Sequence, residues 1–318
     1  MDTGMEASSH AMLYKASGLQ DPDQEFKITR RKTISWFSPY SYSLESLTMY
    51  RMPPNIFARQ SSEIDWCEGN YLHSEYVAEY YNTVSNVVFL LVGPLMMYLL
   101  HPYACTRSLA VHLVWLMFIA VGIFSMYYHM TLSYMGQLLD ELSILWVIAV
   151  GYSIWFPRPC FPYFIKNRNH FGTVIFTLAA ISTMLSFVKP AVNAYALNCI
   201  TFHILYIIVK EMRKCSNHRI LNLALVSFCL WVVAISCWLS DRLFCSFWRR
   251  INFCYLHSIW HVFICITVVY SNTLFAYFDA MYEIPESQPQ VDYWPLKSLR
   301  IGLPYLSITK HDIQRKIC

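Results

Sequence analysis

Ser125-Met126-Tyr127-Tyr128-His129-Met130-Thr131-Leu132-Ser133-Tyr134-Met135-Gly136-Gln137-Leu138-Leu139-Asp140 is the stretch on which the reading of this chain turns. It joins the end of one apolar helix to the start of the next. Ser125 and His129 are four residues apart, so on a helix they share one face. Asp140 opens the next apolar run. A serine, a histidine and an aspartate are costly at the mouth of a membrane segment, and ionisable groups there are functional candidates by default. The segment therefore asks for partners elsewhere in the chain.

Composition supports the membrane setting. Of 318 residues, 56% are hydrophobic, 17% aromatic and only 14% charged, with a mean hydropathy of +0.35. Soluble domains carry about 25% charge. The net charge of +4 is modest and its basic residues sit in loops and tails, so no nucleic-acid partner is expected. Cys199, Cys229, Cys237 and Cys265 lie inside apolar runs and read as small buried hydrophobes. The opening residues lack an apolar core, so no cleavable signal peptide is expected.

A membrane crossing needs about 20 mostly apolar residues. Runs near 83–100, 110–128, 138–156, 172–188, 194–210, 221–239 and 257–278 meet that length, which predicts an all-α polytopic protein, a seven-transmembrane helix bundle spanning 82–278. Pro94 is expected to kink the first span. Residues 1–51, with the basic run Arg30-Arg31-Lys32, read as a poorly ordered extension. Everything recognisable follows Met52, itself a candidate start. Residues 279–318 hold Pro285, Pro289, Pro295 and Pro304 and read as an extended tail.

Lys and Arg in short loops set the orientation. The first, third and fifth loops carry Arg107; Arg158, Lys166 and Arg168; and Lys210, Arg213, Lys214 and Arg219. The second, fourth and sixth carry only Lys189, Arg242, Arg249 and Arg250. The bias predicts a luminal or external N-terminus and a cytosolic C-terminal tail. The tail's Lys297, Arg300, Lys310, Arg315 and Lys316 agree; the basic extension does not.

That topology brings His129, Asp140, His257 and His261 to one membrane depth. His257 and His261, at i and i+4 in His-Ser-Ile-Trp-His, share a face on which two imidazoles can grip one ion. A lone His-x-x-x-His is a weak signal, and Tyr127, Tyr128 and Trp260 also fit an interfacial aromatic belt. Three histidines leave a fourth tetrahedral position open, as at a catalytic zinc. Asp140 is then a candidate proton carrier and Ser125 a donor to a developing oxyanion.

A second cluster precedes the first span, in residues 52–81. Asp65, Glu68 and Asn70 stand at relative positions one, four and six, with Glu79 further on and the Trp66 carbonyl nearby. Such oxygen ligands suit calcium, and Gly69 permits a tight turn. The alternative is an acidic solvated loop. Cys67 lies here, and Cys245 and Cys254 lie in the loop before the seventh span. A luminal disulfide is chemically allowed. Cys67–Cys245 is the preferred pairing, with free thiols as the alternative.

Asp65-Trp66-Cys67-Glu68-Gly69-Asn70, Ala78-Glu79-Tyr80-Tyr81-Asn82-Thr83, His129-Met130-Thr131-Leu132, Gln137-Leu138-Leu139-Asp140-Glu141 and the final His-Ser-Ile-Trp-His together resemble the alkaline ceramidase family. That family is a branch of the seven-span hydrolases that also hold the adiponectin receptors. The match covers residues 52 to about 305. The resemblance implies zinc on His129, His257 and His261, catalytic roles for Ser125 and Asp140, and calcium on Asp65, Trp66 (through its carbonyl), Glu68, Asn70 and Glu79. It also implies a disulfide between Cys67 and Cys245.

The implied activity is hydrolysis of ceramide to sphingosine and a fatty acid, by attack of water on the amide. The implied location is the endoplasmic reticulum membrane, with the Golgi as alternative. The membrane lipid bilayer is the expected surrounding, and no obligate protein partner is evident. The rival reading is a zinc-containing lipid receptor of the adiponectin-receptor type. A channel needs polar residues through the whole depth, whereas here they gather at one end.

Overall fold

A computed structural model describes residues 55–189, 191–297 and 301–309. The extension 1–51 and the tail residues Arg300, Lys310, Arg315 and Lys316 lie outside the described residues.

Among the described residues, seven helices have the length and apolarity of membrane crossings: Tyr80–Leu99, Ala110–Thr131, Tyr134–Trp155, Arg168–Val188, Ala191–Met212, His218–Leu243 and Leu256–Glu283. The number matches the sequence expectation. Most begin or end up to a turn beyond the expected limits; the third, fourth and sixth begin early where a polar residue caps them. Asn167 Oδ1 accepts from the His170 N–H at 2.8 Å. Asn217 Oδ1 accepts from the Arg219 N–H at 3.0 Å. Hydropathy does not see a cap, since a cap is polar.

The first span departs from expectation differently. Its helix breaks at Asn86, between Tyr80–Ser85 and Val87–Leu99, while Pro94 sits within the second piece. The break is stabilised by the Asn86 side chain, which donates to the Asn82 carbonyl at 2.8 Å.

The hinge between the second and third spans is the opening stretch of sequence. The second span ends at Thr131, and Leu132 turns left-handed with φ of 49°. A leucine there is unusual, and it is held by burial and by its N–H on the Tyr128 carbonyl. Ser133 then caps the third span, accepting from the Gly136 N–H at 3.1 Å. The third span therefore starts at Tyr134 rather than 138. A side chain at Gly136 would strike Ser133 Oγ and the Tyr128 backbone.

The seventh span packs along the sixth, the second lies between the first and third, and the third packs on the fourth. Lipid tails are as apolar as leucine, so close fit and polar bonds hold such helices together. Gly122, for example, lets the second span approach Phe89 and Asn86 of the first.

The end opposite the hinge is fastened by a polar knot. Buried Asp279 accepts from Arg107 at 2.9 and 3.2 Å and from the Tyr103 hydroxyl at 2.7 Å. One turn on, Glu283 pairs with Arg158 at 2.6 Å and Arg168 at 2.8 Å. These bonds join the seventh span to the first and third loops.

The expected extended tail is instead an antiparallel hairpin, β1 (Gln290–Leu296) with β2 (Ile301–Ser307). It lies on the seventh span, where Tyr270 and Thr273 donate to the carbonyls of Gly302 and Pro304 at 3.0 and 2.9 Å. Leu306 joins the main apolar core. The prolines misled because a hairpin of two strands is all edge, and edges accept proline.

Candidate metal centre

His129 ends the second span, and His257 and His261 begin the seventh. Their rings meet, with centroids 5.0 Å (His129–His257), 5.1 Å (His129–His261) and 4.7 Å (His257–His261) apart. One nitrogen from each lies within 4.8 Å of the others, and all three residues are buried. Among the described residues, no other group of three His, Cys, Asp or Glu side chains closes in this way.

The donor atoms fit a cation. His129 Nδ1 meets Glu79 Oε2 at 2.6 Å, and its Nε2 is buried without a partner. His257 Nδ1 is likewise buried and unpaired. His261 Nδ1 meets Ser85 Oγ at 2.8 Å. An unpaired buried nitrogen is expensive, and an ion coordinated there removes that cost. Carboxylate and hydroxyl groups behind the rings are the usual means of fixing which nitrogen faces a metal.

Ser125, one turn before His129, is buried at the end of the second span, and Asp140 stands in the second turn of the third. The second and third spans thus place a hydroxyl–carboxylate pair beside the hinge.

The loop 55–79 is pinned to the same hinge. The N–H groups of Gln60, Ser62, Ala78 and Glu79 donate to the carbonyls of Thr131, Leu132, Met130 and His129. The last carbonyls of a helix have no partner within it, so the loop completes the second span. Asn70 Nδ2 donates to Asp65 Oδ1 at 3.1 Å, and Asn70 Oδ1 is buried without a partner, which suits a cation ligand. Glu79 accepts from the Trp66 N–H at 3.1 Å and from Asn82 Nδ2 at 3.0 Å. Burial pushes its carboxyl up to about 8. Glu68 accepts from the Tyr81 and Asn82 N–H groups at 2.7 and 2.9 Å, capping the first span from outside. Burial raises its carboxyl too. Cys67 and Cys245 are at disulfide distance, with Cα atoms 5.2 Å apart, and Cys254 is a free thiol.

Several partners escaped the sequence reading. Asn82, Ser85 and Asn86 form a polar stripe at i, i+3 and i+4 in the first span, a legible sign of a buried polar face. Ser85 and Asn86 reach His261, and Asn82 accepts from Ser258 at 2.7 Å. The Trp66 indole stacks on His257 at 3.6 Å. No spacing rule announces that contact, because it joins segments far apart in sequence.

Fold and site define a seven-span membrane protein with a buried histidine triad at one end. A ceramidase family profile matches residues 58–307. Human alkaline ceramidase 1 is 55% identical over 260 residues, covering 81% of this chain and 98% of that protein. The mouse alkaline ceramidase 1 is 55% identical over 259 residues, covering 81% and 95%. The Drosophila melanogaster alkaline ceramidase is 41% identical over 263 residues, covering 82% and 93%. The chain belongs to the alkaline ceramidase family and is a hydrolase of the ceramidase kind.

Proposed function

We propose that this chain hydrolyses the amide of ceramide within the membrane, releasing sphingosine and a fatty acid, with zinc on His129, His257 and His261. The observation that carries the reading is the buried triad, with two unpaired imidazole nitrogens, in a chain of this family. Zinc held there supplies a Lewis acid and lowers the pKa of water to about 7. The chain's own groups do the rest. Asp140 takes the proton of the attacking water and returns it to the leaving nitrogen. Once Asp140 carries that proton it no longer needs a donor, and the Ser125 hydroxyl donates to the oxygen that gains charge. The apolar bundle holds the alkyl chains.

Calcium is assigned to the Asp65, Trp66 carbonyl, Glu68, Asn70 and Glu79 group, where it would activate or stabilise. Support comes from the unpaired Asn70 Oδ1 and from Glu79, whose Oε2 also meets His129. For Glu68 to join, it must keep or release the two cap bonds it makes now. We further assign a disulfide to Cys67–Cys245, the endoplasmic reticulum membrane as location, and a luminal N-terminus with a cytosolic C-terminus. The alternative receptor reading shares the triad but leaves the Ser125–Asp140 pair without a task.

The deciding experiment is lipid hydrolysis by the purified protein in detergent or vesicles. Ceramides of several chain lengths are compared with and without a zinc chelator and with and without calcium. Sphingosine release that needs both metals is expected. Release indifferent to both would overturn the metal assignments, and no release would overturn the activity.

A further inference from the structure

Asp241 stands near the end of the sixth span and is almost fully buried. No motif singled it out. Its Oδ2 accepts from the Cys67 N–H at 3.0 Å. Oδ1 is buried with no hydrogen-bond partner. Arg242, next in sequence, is engaged elsewhere: it donates to the Asp65 carbonyl at 3.2 Å and lies over the Trp66 ring. A buried acid this poorly compensated is costly, so its retention needs a reason.

The helix carrying two of the three imidazoles supplies one. The seventh span begins at Leu256, and its N-cap residue, Tyr255, makes no side-chain cap. The first N–H groups of a helix have no partner within it and carry the positive end of its dipole. His257 is the second residue of that turn. With no cap of its own, that turn is held by what packs on it, and the Trp66 indole stacked on His257 is one such contact. The Asp241 carboxylate, from the span that packs along this helix, fixes the direction of the backbone at Cys67, one residue after that indole.

We propose that Asp241 is a positioning residue: from the sixth span it holds the Trp66–Cys67 segment in the register that stacks the Trp66 indole on His257 and presents that ring to the metal. This rests on the zinc reading above but concerns a residue outside the ligand set.

The test uses full-length protein carrying Asp241→Ala, Asp241→Asn or, at the opposite end, Asp279→Asn. Zinc affinity is read by chelator competition, and backbone hydrogen exchange is read over residues 256–261. The expected result is zinc bound about 10–100-fold more weakly in Asp241→Ala, the range for groups behind a metal ligand. Exchange over 256–261 should speed up alongside. Asp241→Asn, which keeps an accepting oxygen, should fall between this and the parent. Asp279→Asn should lower the melting temperature and leave both readouts unchanged. If Asp241→Ala does not fold, Asp241→Asn decides. Parent-like zinc affinity and exchange in the folded Asp241 variants would overturn the proposal. Failure of the parent to bind zinc at all would overturn the metal reading itself.

Discussion

Glu79 Oε2 lies 2.6 Å from His129 Nδ1, with both side chains buried. The bond joins the two sites read separately from the sequence, since Glu79 belongs to the acidic loop and His129 to the triad. With Glu79 ionised, as a neighbouring cation would keep it, the carboxylate holds the proton of His129 on Nδ1 and turns Nε2 inward. Glu79→Gln should therefore weaken zinc binding about 10–100-fold, measured by chelator competition. Unchanged affinity would leave Glu79 to calcium alone.

The same carboxyl predicts a pH dependence. Burial moves it from an ordinary 4.5 to about 8. Between those values the unfolded chain gives up the proton and the cation-free fold keeps it, so the fold loses stability as pH rises from 4.5 to 8. A calcium ion bound as proposed would have to displace that proton. Its apparent affinity should tighten by up to about tenfold per pH unit below 8 and level off above. Calcium titrations at pH 6, 7, 8 and 9 check this; a flat profile removes Glu79 from the calcium shell.

Ser125→Ala should lower kcat about 10²–10³-fold while KM for ceramide stays near the parent value, as for loss of an oxyanion donor. Asp140→Asn should lower it further, because it removes the proton carrier. Steady-state kinetics on metal-loaded protein separate the two. A change confined to KM would make Ser125 a binding residue only.

Asp279→Asn should destabilise the bundle by about 3–5 kcal/mol, since Arg107 would be left short of a charged partner. Thermal unfolding in detergent reads the loss. Ceramide turnover per folded molecule should persist, because the knot lies at the end away from the triad.

Cys67→Ser should cost about 2–5 kcal/mol, the range for losing a bridge that closes a long loop. The two cysteines of the proposed bridge are 178 residues apart in sequence. The parent should lose the same amount on reduction and the variant nothing further.

The seven crossings were legible because each is a long apolar run, and lipid leaves a backbone few other options. The triad was legible because His257 and His261 sit at helical spacing, and topology put His129 at the same depth. Ser133 and Asn167 lie outside the expected spans because they are polar caps, which an apolar run does not include. Asp241 and the Trp66–His257 stack were not legible, since each depends on a contact between segments far apart in sequence. The hairpin was missed because proline-rich composition looks the same in a tail and at a sheet edge.

That hairpin changes what it means for this chain to be finished. A polypeptide ending at Glu283 would have made every crossing and would own all three histidines. It would still lack Leu306 in the core and the two carbonyls that receive Tyr270 and Thr273. The second strand of the hairpin acts as a closing latch. Assembly of the bundle should therefore be completed only after synthesis has passed residue 307, and a premature stop in these last residues should yield a protein that inserts normally and is then degraded.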